Sequence, residues 1–211
     1  MINSKSSISA GRGTYRHGDL RRTLLEAGIE MARQGGPDAV VLREATRQAG
    51  VVPNAAYRHF ASQQALLQAV RDHALSVSAA MMEAELAAVP PTLSAADAAR
   101  ASLKSVGRAY LRFAHAEPGL FRTAFAAQGS AGAAMSTDLA PNPFRLLGAA
   151  LDRFVVAGIL PAARRPGAEY LAWSAVHGLA LLVTDGPLHS MAAAERQVIE
   201  ERLLDMVEKG L

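Results

Sequence analysis

"VLREATRQAGVVPNAAYRHF", residues 41–60, sets two short runs of helix-forming residues on either side of a glycine and a proline. In the first run Leu42 and Ala45 share one face, continued by Ala49, and Gly50 supplies the tight turn that ends it. The second run begins at Pro53, whose fixed φ suits the first helical position and whose missing N–H would have no partner there anyway. At about 100° per residue, Ala56 and Phe60 fall on one side with Val51, towards a core, while Asn54, Ala55, Tyr57 and Arg58 fall on the other. An exposed amide, a small residue that permits close approach, a phenol and a guanidinium offer partners for base edges and phosphates. Two short helices joined at a glycine, with a supporting helix before them, are the layout of a helix-turn-helix whose second helix enters a DNA major groove.

The flanking sequence supplies that supporting helix. Leu20, Leu24, Ala27 and Met31 recur at helical spacing and predict a helix over about 18–34, stopped by "GGPD" at 35–38. A longer helix starts near Ser62, with Leu66, Leu67, Val70 and Leu75 facing inward. Residues 1–14 are rich in Ser and Gly and read as a flexible arm, so the reading domain spans 15–70 and a second domain 71–211. That second domain also has helical periodicity. "MMEAELAAV" closes a helix before Pro90 and Pro91, and Thr92 or Ser94 caps the next, which carries Val106, Tyr110 and Phe113. A short helix "GLFRTAFAA" leads to "QGSAGAAMSTDLAPNP", residues 128–143, which reads as a mobile connection. Helices over about 143–157, 167–185 and 192–209 complete the chain, with "PAARRPG" as a break. No stretch alternates as a strand does, and no fixed-period repeat occurs, so the expected fold is all-α with about nine helices.

Composition narrows the function classes. Of 211 residues half are hydrophobic, enough for a sizeable core, and none is cysteine, which excludes disulfide scaffolds, thiolate nucleophiles and Cys-containing zinc sites. The first residues hold no apolar run of leader length, and the most apolar stretch, "LAWSAVHGLALLV", is short and interrupted by His177. A soluble, cytoplasmic protein with no membrane partner is expected. Residues 1–60 carry nine Lys/Arg against five Asp/Glu, whereas the remainder is near neutral, so the basic end suits a polyanion. Enzyme signatures are absent from the sequence: there is no H-E-x-x-H, G-x-S-x-G or phosphate-binding loop, and "GRG" at 11–13 lacks the third glycine of a dinucleotide loop. His17/Asp19 and His115/Glu117 are two residues apart, which on a helix points them to different faces, so no catalytic residue, metal site or cofactor is expected.

Residues 36–70, "GPDAVVLREATRQAGVVPNAAYRHFASQQALLQAV", extended back through "HGDLRRTLLEAGIEMARQGG", resemble the DNA-binding domain of TetR family transcriptional regulators, without a gap from the turn glycine to the Tyr-x-His-Phe ending. The resemblance implies a homodimer with one recognition helix per subunit on a palindromic operator, usually a repressor released by a small molecule. It also implies phosphate contacts for Tyr57 and His59, a base contact for Arg43, and a phosphate at the helix start formed by Ser62 and Gln63. Two positions depart from the family pattern: Val52 stands where Ser or Thr is frequent, and Gln63 where Lys is frequent. Val52 cannot accept the amide hydrogen bond at the helix start, at a cost of roughly 1 kcal/mol that Pro53 softens. Its methyl groups are expected either to pack on the adjacent helix or to touch a thymine methyl.

In the second domain, "LAWSAVHGLALL", residues 171–182, is similar to the Trp-x-x-x-His-Gly helix of one TetR C-terminal subfamily, and "EPGLFRTAF" resembles the segment before its inner helices. Trp173 and His177 lie one turn apart, and Gly178 beside them permits the close approach of another helix. Both fit a pocket, and both equally fit ordinary core. With Phe113, Phe121, Phe125, Phe144 and Leu147 they form the candidate lining of an apolar effector site. Arg108, Arg112, His115 and Arg122 are candidate anchors for a carboxylate or phenolate, although Arg108 and Arg112 suit a solvated face as well. In the last helix Ile199, Leu203, Met206 and Val207 form a stripe that suits either the core or a partner helix. The helix at 167–185 is apolar nearly all round and must be buried on more than one side, which points to a subunit interface; the resemblance implies a four-helix bundle made by the last two helices of each subunit. The alternative is a constitutive or architectural dimeric DNA-binding protein without an effector. A ligand-sized cavity separates the two, since the alternative needs only a filled core.

Overall fold

The computed structural model describes residues 20–126 and 142–211, so the expected arm at 1–14 and nearly all of the connection at 128–143 lie outside the described residues. Among the described residues there are nine α-helices, two short 3-10 turns and no strand. Helices α1 (Leu20–Gly35), α2 (Leu42–Gln48) and α3 (Pro53–Tyr57) precede the long α4 (Gln63–Ala87). Then come α5 (Ala95–Ala116), α6 (Pro118–Phe125), α7 (Pro143–Val156), α8 (Ala168–Thr184) and α9 (Ala193–Gly210).

The turn between α2 and α3 is closed by its own backbone. Gly50 has φ 66°, its N–H donates to Arg47 O at 3.1 Å, and the Val51 N–H donates to Thr46 O at 3.3 Å. This paired closure satisfies two carbonyls that the helix end would otherwise leave open, and the positive φ favours glycine there. α3 then sits on the core through Ala56 and Phe60, both buried. Ser62 caps α4, its Oγ accepting from the Ala65 N–H at 3.1 Å. Leu66, Leu67, Val70 and Leu75 are all buried, and a Cβ on Gly28 would stand 2.9 Å from Val70 Cγ2, so α1 and α4 cross closely there.

The second half packs α7, α8 and α9 around α5, which itself lies along the rest of α4. Ser94 caps α5, its Oγ accepting from the Asp97 N–H at 3.1 Å. α5 and α9 are laced together by charge: Arg100 to Glu208 at 2.9 Å, Lys104 to Asp205 at 2.5 Å, and Arg108 to Glu201 through two bonds of 2.6 and 2.8 Å. Rungs about one turn apart on both helices fix their antiparallel register, although each partly exposed pair contributes at most about 1 kcal/mol. Between the rungs, Leu204 drives into the space left by Gly107, where a Cβ would overlap it.

Within the chain no helix lies against Gly178, where nothing stands within 4 Å of the Cβ position, and the close approach is made at Gly107. In α9 the fully buried residue is Leu204, whereas Met206 is 59% exposed and Ile199, Leu203 and Val207 are only partly covered. Periodicity fixes a stripe to within about one residue, and α5 selects which residue faces inward.

Candidate reading surface and effector cavity

The reading surface is small and open. Val52, Pro53, Asn54, Tyr57, Arg58, Ser62 and Gln63 are exposed, as is Arg43 on α2, while Ala55 and His59 are half-buried. Arg43 and Arg58 have no ion-pair partner among the described residues, so both guanidiniums are available to an anion. Arg47 is not: Glu44 holds it through bonds of 2.6 and 2.9 Å, and those bonds, with one from Gln48, hold the Glu44 carboxyl down to about 2. Arg21 is also occupied, its guanidinium lying 5.1 Å above the Phe60 ring. Val52 precedes α3 with φ −74° and ψ 144°, makes no side-chain cap, and is 68% exposed. Packing of its methyl groups on the adjacent helix is thereby overturned; they face outward.

A cavity of about 50 Å³ opens between α4, α5, α6, α7, α8 and α9. Of the candidates, Phe125, Phe144, Leu147 and Trp173 line it. Phe113 and Phe121 do not: they are completely buried, packed at a ring separation of 6.2 Å. His177 stands behind the wall, bonded through Nδ1 to the Tyr110 hydroxyl at 2.7 Å, and the Trp173 Nε1–H donates to the same hydroxyl at 3.0 Å. Burial pushes the Tyr110 phenol up and the His177 imidazole down, so both remain uncharged at neutral pH.

The charged candidates stay away from the cavity. Arg108 is bound to Glu201, Arg112 to Glu85 at 2.6 Å, and Arg122 to Asp185 at 2.6 Å; His115 lies 3.5 Å from Glu200. None of the four lines the wall. The sequence reading missed Leu75 and Met82 from α4, Lys104 and Tyr110 from α5, and Leu204 from α9. Tyr110 had a signal: a phenol on the buried face of a helix needs a hydrogen-bond partner, and Trp173 and His177 carry groups able to serve.

α6 connects cavity and reading head. Its last residue, Phe125, is cavity wall, and its Gly119 is pressed on the carbonyl oxygens of Ala32 and Arg33 at the end of α1. Arg33 also reaches Glu117 at 3.1 Å. From α4, the buried Arg71 donates to Thr123 O at 3.2 Å and to Ala126 O at 3.0 Å, holding the end of α6 by its carbonyls.

Comparisons with known proteins follow the same division. Residues 24–70 match the model described as "Bacterial regulatory proteins, tetR family", and residues 103–207 match "Tetracyclin repressor-like, C-terminal domain". No curated protein matches the chain. Among solved structures, a protein of unknown function from Rhodococcus sp. RHA1 is 25% identical with TM-score 0.69, covering 95% of this chain and 99% of that one. A bacterial regulatory protein of the tetR family from Rhodococcus RHA1 is 16% identical with TM-score 0.60, over 90% and 95% of the two chains. The TetR family regulator PfmR from Thermus thermophilus is 20% identical with TM-score 0.57, over 89% and 98%. The last two likenesses are of fold.

Proposed function

Because the chain belongs to the TetR family of DNA-binding transcriptional regulators, we propose that it is a ligand-responsive repressor, binding a palindromic operator as a homodimer and releasing it when a small molecule fills the cavity. The observation that carries this reading is α4. One unbroken helix begins with the capped turn beside the reading surface and places Leu75 and Met82 in the cavity wall. A ligand that displaces those side chains acts on the same rigid element that sets where α3 stands, and this biases a two-state equilibrium between DNA-competent and released forms. The open cavity supports the sensor over the effector-independent regulator, which has no use for one.

On the DNA side, Asn54, Ala55, Arg58 and Arg43 read base edges, Val52 and Pro53 approach the groove, and Tyr57, His59, Ser62 and Gln63 meet phosphates. Pairing of two subunits is supported by the apolar side chains left outside on the last two helices: Tyr170, Leu171, Leu181 and Leu182 on α8, with Val198 and Met206 on α9. The test is a gel-shift titration on the inverted repeat bound upstream of the neighbouring genes. A dimer-sized complex whose affinity falls at least tenfold with effector is expected. Unchanged operator affinity at saturating effector would sink the coupling model.

A further inference from the structure

Resting on that reading of the cavity, we infer that its effector is a compact, uncharged, ring-sized hydrophobe bearing one hydroxyl or carbonyl, which hydrogen-bonds to the hydroxyl of Tyr110. Size comes first. About 50 Å³ of free interior holds a few waters, so a body no larger than one ring enters it, and does so by displacing lining side chains such as Leu75 and Met82. Shape and polarity come next: Phe125, Phe144, Trp173 and Tyr110 are the aromatic walls, and the rest of the lining is aliphatic apart from Lys104.

Charge is excluded by Lys104. Its ammonium is committed to Asp205 at 2.5 Å and to Glu208 at 3.0 Å, and Glu208 is held in turn by Arg100 at 2.9 Å. An anionic ligand would have to break that balanced cluster to gain a partner, and would otherwise be buried unpaired. A cationic ligand would find no carboxylate in the wall, since neither Asp205 nor Glu208 lines it. Either arrangement is expensive inside an apolar wall.

One polar handle remains. The Trp173 N–H is spent on the Tyr110 oxygen, which leaves that phenol one proton and one lone pair to divide between His177 and a ligand. When His177 presents a bare Nδ1, the phenol donates to it and accepts from a ligand hydroxyl. When Nδ1 carries the proton, it donates to the phenol, whose own O–H turns to a ligand carbonyl. Both arrangements are uncharged, so the Tyr110–His177 pair accepts either kind of group; His177 acts as a positioning residue.

Trp173 is the chain's single tryptophan and lies in the wall, so its fluorescence reports occupancy in the intact protein. The probes are cyclohexylmethanol, methylcyclohexane, cyclohexanecarboxylate and cyclohexyltrimethylammonium, which share a ring and do not absorb where tryptophan does. Cyclohexylmethanol is expected to bind at least tenfold more tightly than either charged probe and than the hydrocarbon. In Tyr110→Phe the preference for alcohol over hydrocarbon should vanish while hydrocarbon binding persists. A charged probe binding as tightly as the alcohol overturns the inference, as does binding of none of the four at millimolar concentration; equal affinity for alcohol and hydrocarbon in the unaltered protein overturns the Tyr110 contact. Operator release measured on the same samples separates the two levels: release by a charged probe leaves the regulatory reading standing without this inference, and tight alcohol binding without release does the reverse.

Discussion

Val52 shows how a single residue exchanges stability for a surface. Where α3 starts, a hydroxyl would accept a backbone amide, yet the chain places an exposed branched hydrocarbon there. Val52→Ser is expected to stabilise the free protein by about 1 kcal/mol, raising the melting midpoint by about 2–4 °C in a thermal melt. If the methyl groups meet a thymine, replacing that thymine by deoxyuridine should weaken binding of the unaltered protein and leave the serine variant indifferent. A more stable variant with unchanged operator preference would exclude the thymine contact. Residues of this kind were legible in the sequence because their meaning lies within a few positions of the turn. Arg71 was not: its acceptors, the carbonyls of Thr123 and Ala126, lie more than fifty positions away and leave no mark on side-chain pattern. His177 fits a pocket and ordinary core equally in the sequence, and it stands behind the wall, because periodicity reports a face and not which atom reaches the cavity first.

Among elements, α6 is the tightest seam between the reading head and the cavity. A methyl at Gly119 would meet backbone oxygens of Ala32 and Arg33, which cannot swing aside as a side chain can. Gly119→Ala should therefore cost about 1–3 kcal/mol, seen as a lower melting midpoint, and should change operator affinity without touching a reading residue. If stability and operator affinity both held, α6 would not be the connection described. Helix existence and order followed from periodicity and from Pro, Gly and Ser punctuation. The pairing of α5 with α9 did not, because Arg108 suits a solvated face on its own, and the acidic partners of Arg100, Lys104 and Arg108 arrive from about a hundred positions away.

At the scale of the whole molecule, the all-α fold followed from helical periodicity along the chain and the reading head from a gap-free match over one short segment, whereas the cavity is a property of six helices at once. Two predictions belong here. Replacing both Leu171 and Leu182 by Glu should give a monomer in analytical ultracentrifugation, with operator affinity reduced at least tenfold; a dimer that survives both would place the interface elsewhere. The second concerns pH. Burial holds His73, His115 and His177 below the ordinary 6.5. The unfolded chain then binds more protons than the folded one, and stability is lost as pH falls from about 6.5 towards their depressed folded values. Glu200, raised by burial, has the opposite sign, its contribution being lost as pH rises from the ordinary 4.5 through its folded value. Melting midpoints should thus fall between pH 7.5 and 5.5; a flat profile would contradict the burial of these imidazoles.

The length of α4 has a mechanical meaning of its own. Twenty-five helical residues make a rod of roughly 37 Å, and Met82 lies about 28 Å along it from Gln63. Pivoted near the cavity, a tilt of only about 5° would sweep the far end through roughly 2.5 Å, close to a hydrogen-bond length. Two such levers set back to back would double the change in span. A displacement no larger than one ring sliding past a methionine would then be enough to take a protein out of register with its groove.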